Sequence, residues 1–98
     1  MEKKEEYLEK LGAELKEFSA SIDDFAKKAE YVALEHRTKL RREISEFNAI
    51  RLEAQIKLRR MEESSGDVWE ALAAGVDRTW AEMKEAVGKI AEKFKQPR

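Results

Sequence analysis

The long first segment of this chain reads as uninterrupted helix. From Glu2 to Glu63 it has one glycine, Gly12, and no proline, and an apolar residue recurs every three or four positions. This pattern predicts one α-helix over about residues 3–63, roughly 90 Å long at 1.5 Å per residue. A compact domain of this chain length is only about 25 Å across, so the remaining residues cannot enclose such a helix. We therefore expect an all-α coiled-coil fold that is completed by oligomerisation.

The main apolar seam of this helix has heptad-like spacing and is predicted to be the oligomer interface. It includes Leu8, Leu11, Leu15, Phe18, Ile22, Phe25, Val32, His36, Leu40, Ile44, Phe47 and Leu58. A weaker set on the opposite face, called here the second stripe, lies in the C-terminal half of the helix. Its members are Tyr31, Leu34, Thr38, Ser45, Ala49, Leu52 and Ile56. Two apolar faces predict that this half contacts neighbours on two sides.

Residues 64–67 contain the signals for a turn. Gly66 can adopt the left-handed conformation that ends helices, and Asp67 with Glu70 has the spacing of a capping box, with Ser64 and Asp67 as the alternative frame. A second helix is predicted over about residues 67–95, followed by a polar tail at 96–98. Its apolar positions repeat every eleven residues and are Trp69, Leu72, Val76, Trp80, Met83, Val87 and Phe94.

The short turn makes the two helices antiparallel neighbours. We expect the second helix to reach back to about residue 35 and to pack on Leu34, Leu52 and Ile56 of the second stripe. The whole chain, residues 1–98, is then a single helical domain in the form of a lopsided helical hairpin. Its N-terminal half would extend as a bare arm.

The charge distribution favours one orientation for a pair of chains. Residues 1–35 contain six Lys/Arg and ten Asp/Glu, whereas residues 36–61 contain eight Lys/Arg and three Asp/Glu. An antiparallel homodimer would lay each acidic arm against the basic half of its partner, and a parallel one would set like charges together. We expect an antiparallel homodimer, with trimers or tetramers as the alternatives.

Few residues offer chemistry. The chain has no cysteine and one histidine, His36, so a zinc site within one chain is not expected. His36 is interpreted as a packing residue of the seam, with a pH-sensitive oligomer switch as the alternative. No nucleophile elbow, phosphate loop or dinucleotide fingerprint is present. We expect no enzymatic activity and no cofactor.

The strings Lys39-Leu40-Arg41-Arg42 and Lys57-Leu58-Arg59-Arg60 are interpreted as the basic half of the dimer. Because no aromatic residues interleave with them and the net charge is −1, nucleic acid is not an expected partner. The N-terminus lacks a signal-peptide core, and no run is long enough for a membrane span, so a cytoplasmic protein is expected.

Binding to a lipid surface is the alternative function. Tryptophans on an eleven-residue amphipathic repeat suit a lipid surface. The polar face of that helix mixes acidic and basic residues, such as Asp77 and Arg78, and this mixture favours packing on the first helix instead.

The segment 65–72 (Ser-Gly-Asp-Val-Trp-Glu-Ala-Leu), followed by Gly75-Val76 and Trp80, resembles a known group. Its members are small, uncharacterised bacterial coiled-coil proteins with a long charged helix, an SGD-Trp turn and a Trp-repeat helix, some of them stress-associated. The resemblance implies the hairpin and a stress-related role, and it carries no activity or site. We therefore expect a non-enzymatic homo-oligomer that acts as a structural or interaction module, with an unknown protein as a further partner.

Overall fold

The computed structural model describes residues 3–95, and these residues form an all-α bundle of three long helices. Helix α1 covers Lys3–Lys28, α2 covers Leu34–Glu63 and α3 covers Val68–Lys95, with a short 3-10 turn at Ala29–Tyr31. The all-α class and the hairpin formed by α2 and α3 are confirmed. The predicted tail at 96–98 lies outside the described residues.

The first helix is not continuous to residue 63, and this differs from the prediction. It ends at Lys28, and Val32 (φ −93, ψ 152) and Ala33 (φ −54, ψ 149) are extended before α2 begins. We call residues 29–33 the bend. It folds α1 back along its own chain, so that the bundle measures 51 × 20 × 17 Å.

Burial of the apolar face of α1 explains the bend. Interrupting a helix gives up a few backbone hydrogen bonds, each worth a net ~1 kcal/mol. Burying a Leu or Ile side chain gains about 1.5–3 kcal/mol, and α1 contributes Leu11, Leu15 and Ile22 to the core. Folding back therefore stabilises the isolated chain more than helix continuity does.

The main seam forms the interior of one chain. Six of its predicted members are buried there: Leu11, Leu15, Ile22, Leu40, Ile44 and Phe47. Five more are partly buried against this core: Leu8, Phe18, Phe25, Val32 and Leu58. His36 is exposed, because it follows the bend and lies beyond the end of α1, so the expected packing of its side chain is wrong for the single chain. Contact of this seam with a second chain stays a prediction.

The apolar face of α3 packs as predicted. Val76, Trp80 and Met83 are buried. Trp69, Leu72, Val87 and Phe94 pack against the core with part of their surface exposed. Gly66 has φ 62, the left-handed value expected for the turn, and the Ser64 hydroxyl donates to the Met61 carbonyl at 2.7 Å.

The predicted partners of α3 on α2 are wrong. Leu34, Leu52 and Ile56 are 70%, 60% and 49% exposed. In a three-helix bundle each helix turns one sector toward a shared core, so α1 and α3 both pack on the main seam of α2. The second stripe is left facing solvent.

Candidate interaction surface

Two surfaces of this bundle carry apolar side chains along a helix, and the first is the face by which α1 docks on the hairpin. The indole N–H of Trp80 donates to the Leu11 carbonyl at 3.0 Å, a buried hydrogen bond between α3 and α1. The rings of Phe25 and Phe94 stack with centroids 5.1 Å apart at the far end of the bundle. These contacts place α1 parallel to α3 and antiparallel to α2.

At the N-terminal end of α1, Tyr7 joins the same face. Its ring lies 5.7 Å from that of Trp69, and its hydroxyl donates to Asp77 and lies 3.3 Å from the Ala73 carbonyl. Burial, and then the hydrogen bond and negative charge of Asp77, raise the pKa of Tyr7 well above its usual value. The folded chain therefore holds the phenol proton more tightly than the unfolded chain does.

This shift predicts a loss of stability at alkaline pH. A raised folded-state pKa contributes stability that is complete below the unfolded pKa of about 10 and decreases as the pH rises above it. In urea unfolding between about pH 9 and pH 11, the wild type should lose more stability than Tyr7→Phe. Tyr31→Phe is the matched control, because Tyr31 is 90% exposed and its removal should leave the wild-type slope. Equal slopes for the wild type and Tyr7→Phe would contradict the assignment.

Hydrogen bonds and ion pairs at the helix edges supplement the apolar contacts. The Lys4 ammonium donates to the Ser64 carbonyl at 2.5 Å, and the Lys57 ammonium donates to the Thr79 hydroxyl at 2.7 Å. Ion pairs join Arg51 to Asp23 (3.9 Å) and Lys93 to Glu43 (3.3 Å). Sequence reasoning missed these contacts, because the surface lysines and carboxylates give no signal that distinguishes them from solvated neighbours.

The second surface is the second stripe, which runs along the solvent side of α2. Leu34, Leu52 and Ile56 are its large apolar members, and Thr38, Ser45 and Ala49 between them are small and also exposed. Small residues allow a second helix to approach closely, which suits helix packing.

The two basic strings flank this stripe. Their leucines, Leu40 and Leu58, face the core, whereas the paired arginines that follow each leucine are exposed. On a helix at 100° per residue, Arg41 and Arg59 lie along one edge of the stripe and Arg42 and Arg60 along the other. Arg41 already pairs with Glu30 at 3.3 Å. Each edge of the second stripe therefore carries arginines.

The grooves between the helices are lined by a mixture of charged, polar and apolar side chains. The groove between α2 and α3 is lined by Glu43, Glu46, Glu82, Glu85 and Lys89 beside apolar side chains. Within residues 3–95, no three His, Cys, Asp or Glu side chains are grouped so that they could hold a metal ion. None of the helices in this range is long and apolar enough to cross a membrane.

Comparisons with protein-family models, curated proteins and solved structures find no match to this chain.

Proposed function

We propose that the protein is a non-enzymatic helical interaction module of the cytoplasm that assembles with a second copy of itself through the second stripe of α2. The observation that carries this proposal is the exposure of Leu34, Leu52 and Ile56 on one face of α2. The bundle core makes no use of these side chains, and large apolar residues exposed along one helix face are typical of a surface that packs on a partner.

Charge and side-chain size favour an antiparallel homodimer centred on Ser45. In that register Leu34 of one copy faces Ile56 of the other, and Thr38 faces Leu52. The small side chains of Ser45 and Ala49 lie at the centre, where the helices are closest. The proposed interface is therefore apolar at both ends and tight in the middle.

The flanking charges are complementary in the same register. Arg42 lies near Glu46 of the second copy, and Lys39 lies near Glu53. A parallel in-register pair would instead place each arginine pair beside the identical pair of the second copy. Single exposed ion pairs contribute only about 0–1 kcal/mol, but several of them together select an orientation.

The test is the solution mass of a stripe variant, measured by light scattering during size-exclusion chromatography over a range of concentrations. The double variant Leu52→Glu/Ile56→Glu places four carboxylates in the dimer interface and should raise the dissociation constant at least about ten-fold, a change of ~1.4 kcal/mol. Both side chains are exposed in the bundle, so circular dichroism should be unchanged.

Ala13→Glu is the matched control, since Ala13 is exposed on the outer face of α1. It adds a charge away from the second stripe and should keep the wild-type mass. A stripe variant that dimerises as well as Ala13→Glu would contradict the proposed interface.

The alternative of lipid-surface binding has less support. Trp80 is buried and Trp69 is half-buried against Tyr7, so the tryptophan face lies inside the bundle. Lipid binding would require α3 to separate from α1 and α2, and a blue shift of tryptophan emission with anionic vesicles would be its signature. A stress-related setting is supported by the resemblance of the SGD-Trp turn alone.

A further inference from the structure

We propose that two copies form a second kind of dimer by exchange of α1: the bend straightens, and α1 of each copy docks on the α2–α3 hairpin of the other. This inference deepens the self-assembly proposed above, on which it rests for the identity of the partner, but it uses a different surface. The exchanged surface is the α1 docking face, and the second stripe plays no part in it.

The composition of the bend permits a straight helix. Residues 29–33 are Ala-Glu-Tyr-Val-Ala, without glycine or proline, and no non-glycine residue of the described chain has positive φ. Ala33 stands at the N-cap of α2 without a side-chain cap hydrogen bond. A helix start normally has Ser, Thr, Asp or Asn at this position. Local sequence therefore gives the bent form little advantage over a continuous helix.

The apolar spacing continues through the bend. Phe25, Ala29, Val32, His36 and Leu40 follow one another at steps of three or four residues, as on one face of a single helix. In the bent chain Val32 is only partly buried and His36 is exposed. A straight helix returns both residues to the seam, where the second copy can cover them.

The contacts that dock α1 do not depend on which copy supplies it. The Trp80–Leu11 hydrogen bond and the stack of Phe25 on Phe94 join α1 to the hairpin. The bend is the covalent connection between α1 and this hairpin. Exchange of an identical element recreates each contact between copies. It also makes the two long helices antiparallel, with each acidic arm on a basic half.

Two arginines stabilise the bent chain. The Arg37 guanidinium donates to the carbonyls of Glu30 (3.1 Å) and Val32 (3.2 Å), and Arg41 pairs with Glu30. The Arg37 bonds act only in the bent chain, because a continuous helix uses both carbonyls for its own backbone hydrogen bonds. The Arg41–Glu30 pair is also lost on straightening, because residues eleven positions apart lie about 16 Å apart along a helix. Arg37 thus favours the monomer.

Two substitutions in the bend should shift the exchange in opposite directions. Ala33→Pro suits the bent chain, since φ −54 at residue 33 and the extended Val32 before it match the preferences of proline. The same proline disrupts a continuous helix, so it should lower the association constant of the exchanged dimer about a hundred-fold. Arg37→Gln should increase it. An unchanged fraction of exchanged dimer in either variant, measured by cross-linking between chains, would contradict the role of the bend.

Cross-linking identifies the exchanged state directly, because the chain has no cysteine of its own. Asp23→Cys and Arg51→Cys are prepared in separate chains with different mass tags, refolded together at high concentration, and treated with a short bismaleimide. The Asp23 carboxylate on α1 lies 3.9 Å from the Arg51 guanidinium on α2. In the exchanged dimer these two positions belong to different chains, so exchange predicts a product that joins the two tagged chains. Glu43→Cys and Lys93→Cys, which join α2 to α3, are the matched control and should give no such product.

The outcomes separate the two proposals. A product from the first pair alone supports exchange. Dimers by light scattering with no product from either pair overturn exchange and leave the second stripe as the interface. Products from both pairs also overturn exchange of α1 as the mechanism, since α3 would then move between chains. A monomer at all concentrations contradicts both proposals.

Discussion

Trp80→Ala is expected to lower the free energy of unfolding by about 3–5 kcal/mol, as for other buried aromatic side chains. Trp80 is 4% exposed and lies where α1 and α3 meet, so its removal leaves a cavity between the two helices. It also removes the hydrogen bond that the indole N–H donates to the Leu11 carbonyl. Urea unfolding followed by far-UV circular dichroism measures the change.

Trp69→Ala is the matched control for this experiment. Trp69 belongs to the same eleven-residue repeat but is only partly buried. The Trp69→Ala protein should therefore lose less free energy of unfolding than the Trp80→Ala protein. Trp80→Phe retains much of the ring and should lose an intermediate amount, because about 1 kcal/mol belongs to the hydrogen bond. Equal losses at positions 69 and 80 would mean that Trp80 does not occupy the centre of the bundle.

Ile22→Glu should undock α1 and leave a partly helical hairpin of α2 and α3. Ile22 is fully buried between α1 and the hairpin, so the substitution places a carboxylate in the core without a partner. Burial of an unpaired charge is among the few changes that cost more than about 4 kcal/mol, and release of α1 into water avoids that cost. Limited proteolysis should then cut within α1 while α2 and α3 stay protected.

Ala13→Glu again serves as the control, because it adds the same charge to the exposed face of the same helix. It should change the stability by less than about 0.5 kcal/mol. Equal protection of α1 in Ile22→Glu and in Ala13→Glu would contradict the packing of Ile22.

Much of the local structure could be predicted from the sequence. The helical periods of the seam and of α3 identified which residues turn inward, including Ile22, Phe47 and Met83. Gly66 marked the turn, since few other residues accept positive φ. Both signals act over a few residues, and a single sequence reports them well.

The bend and its consequences could not be predicted in this way. Residues 29–33 contain no helix-breaking residue, so the break has a tertiary cause. The apolar face of α1 is buried against α2 and α3 only when the chain has folded back. The same contacts explain why the second stripe is exposed, because α3 packs beside α1 instead of opposite to it. Hydrogen bonds such as Trp80 to Leu11 join residues far apart in sequence and leave no local pattern.

The buried face of α1 has a kinetic consequence. To pass from one copy to another, α1 must first release Leu11, Leu15 and Ile22 from the core, which costs a large part of the folding free energy. Exchange in the folded protein should therefore be slow. During folding, α1 is not yet docked and can bind the α2–α3 hairpin of its own chain or that of a second copy. The ratio of bent monomers to exchanged dimers would then depend on the protein concentration during folding. After dilution this ratio would change only slowly, at the rate at which α1 dissociates from the hairpin.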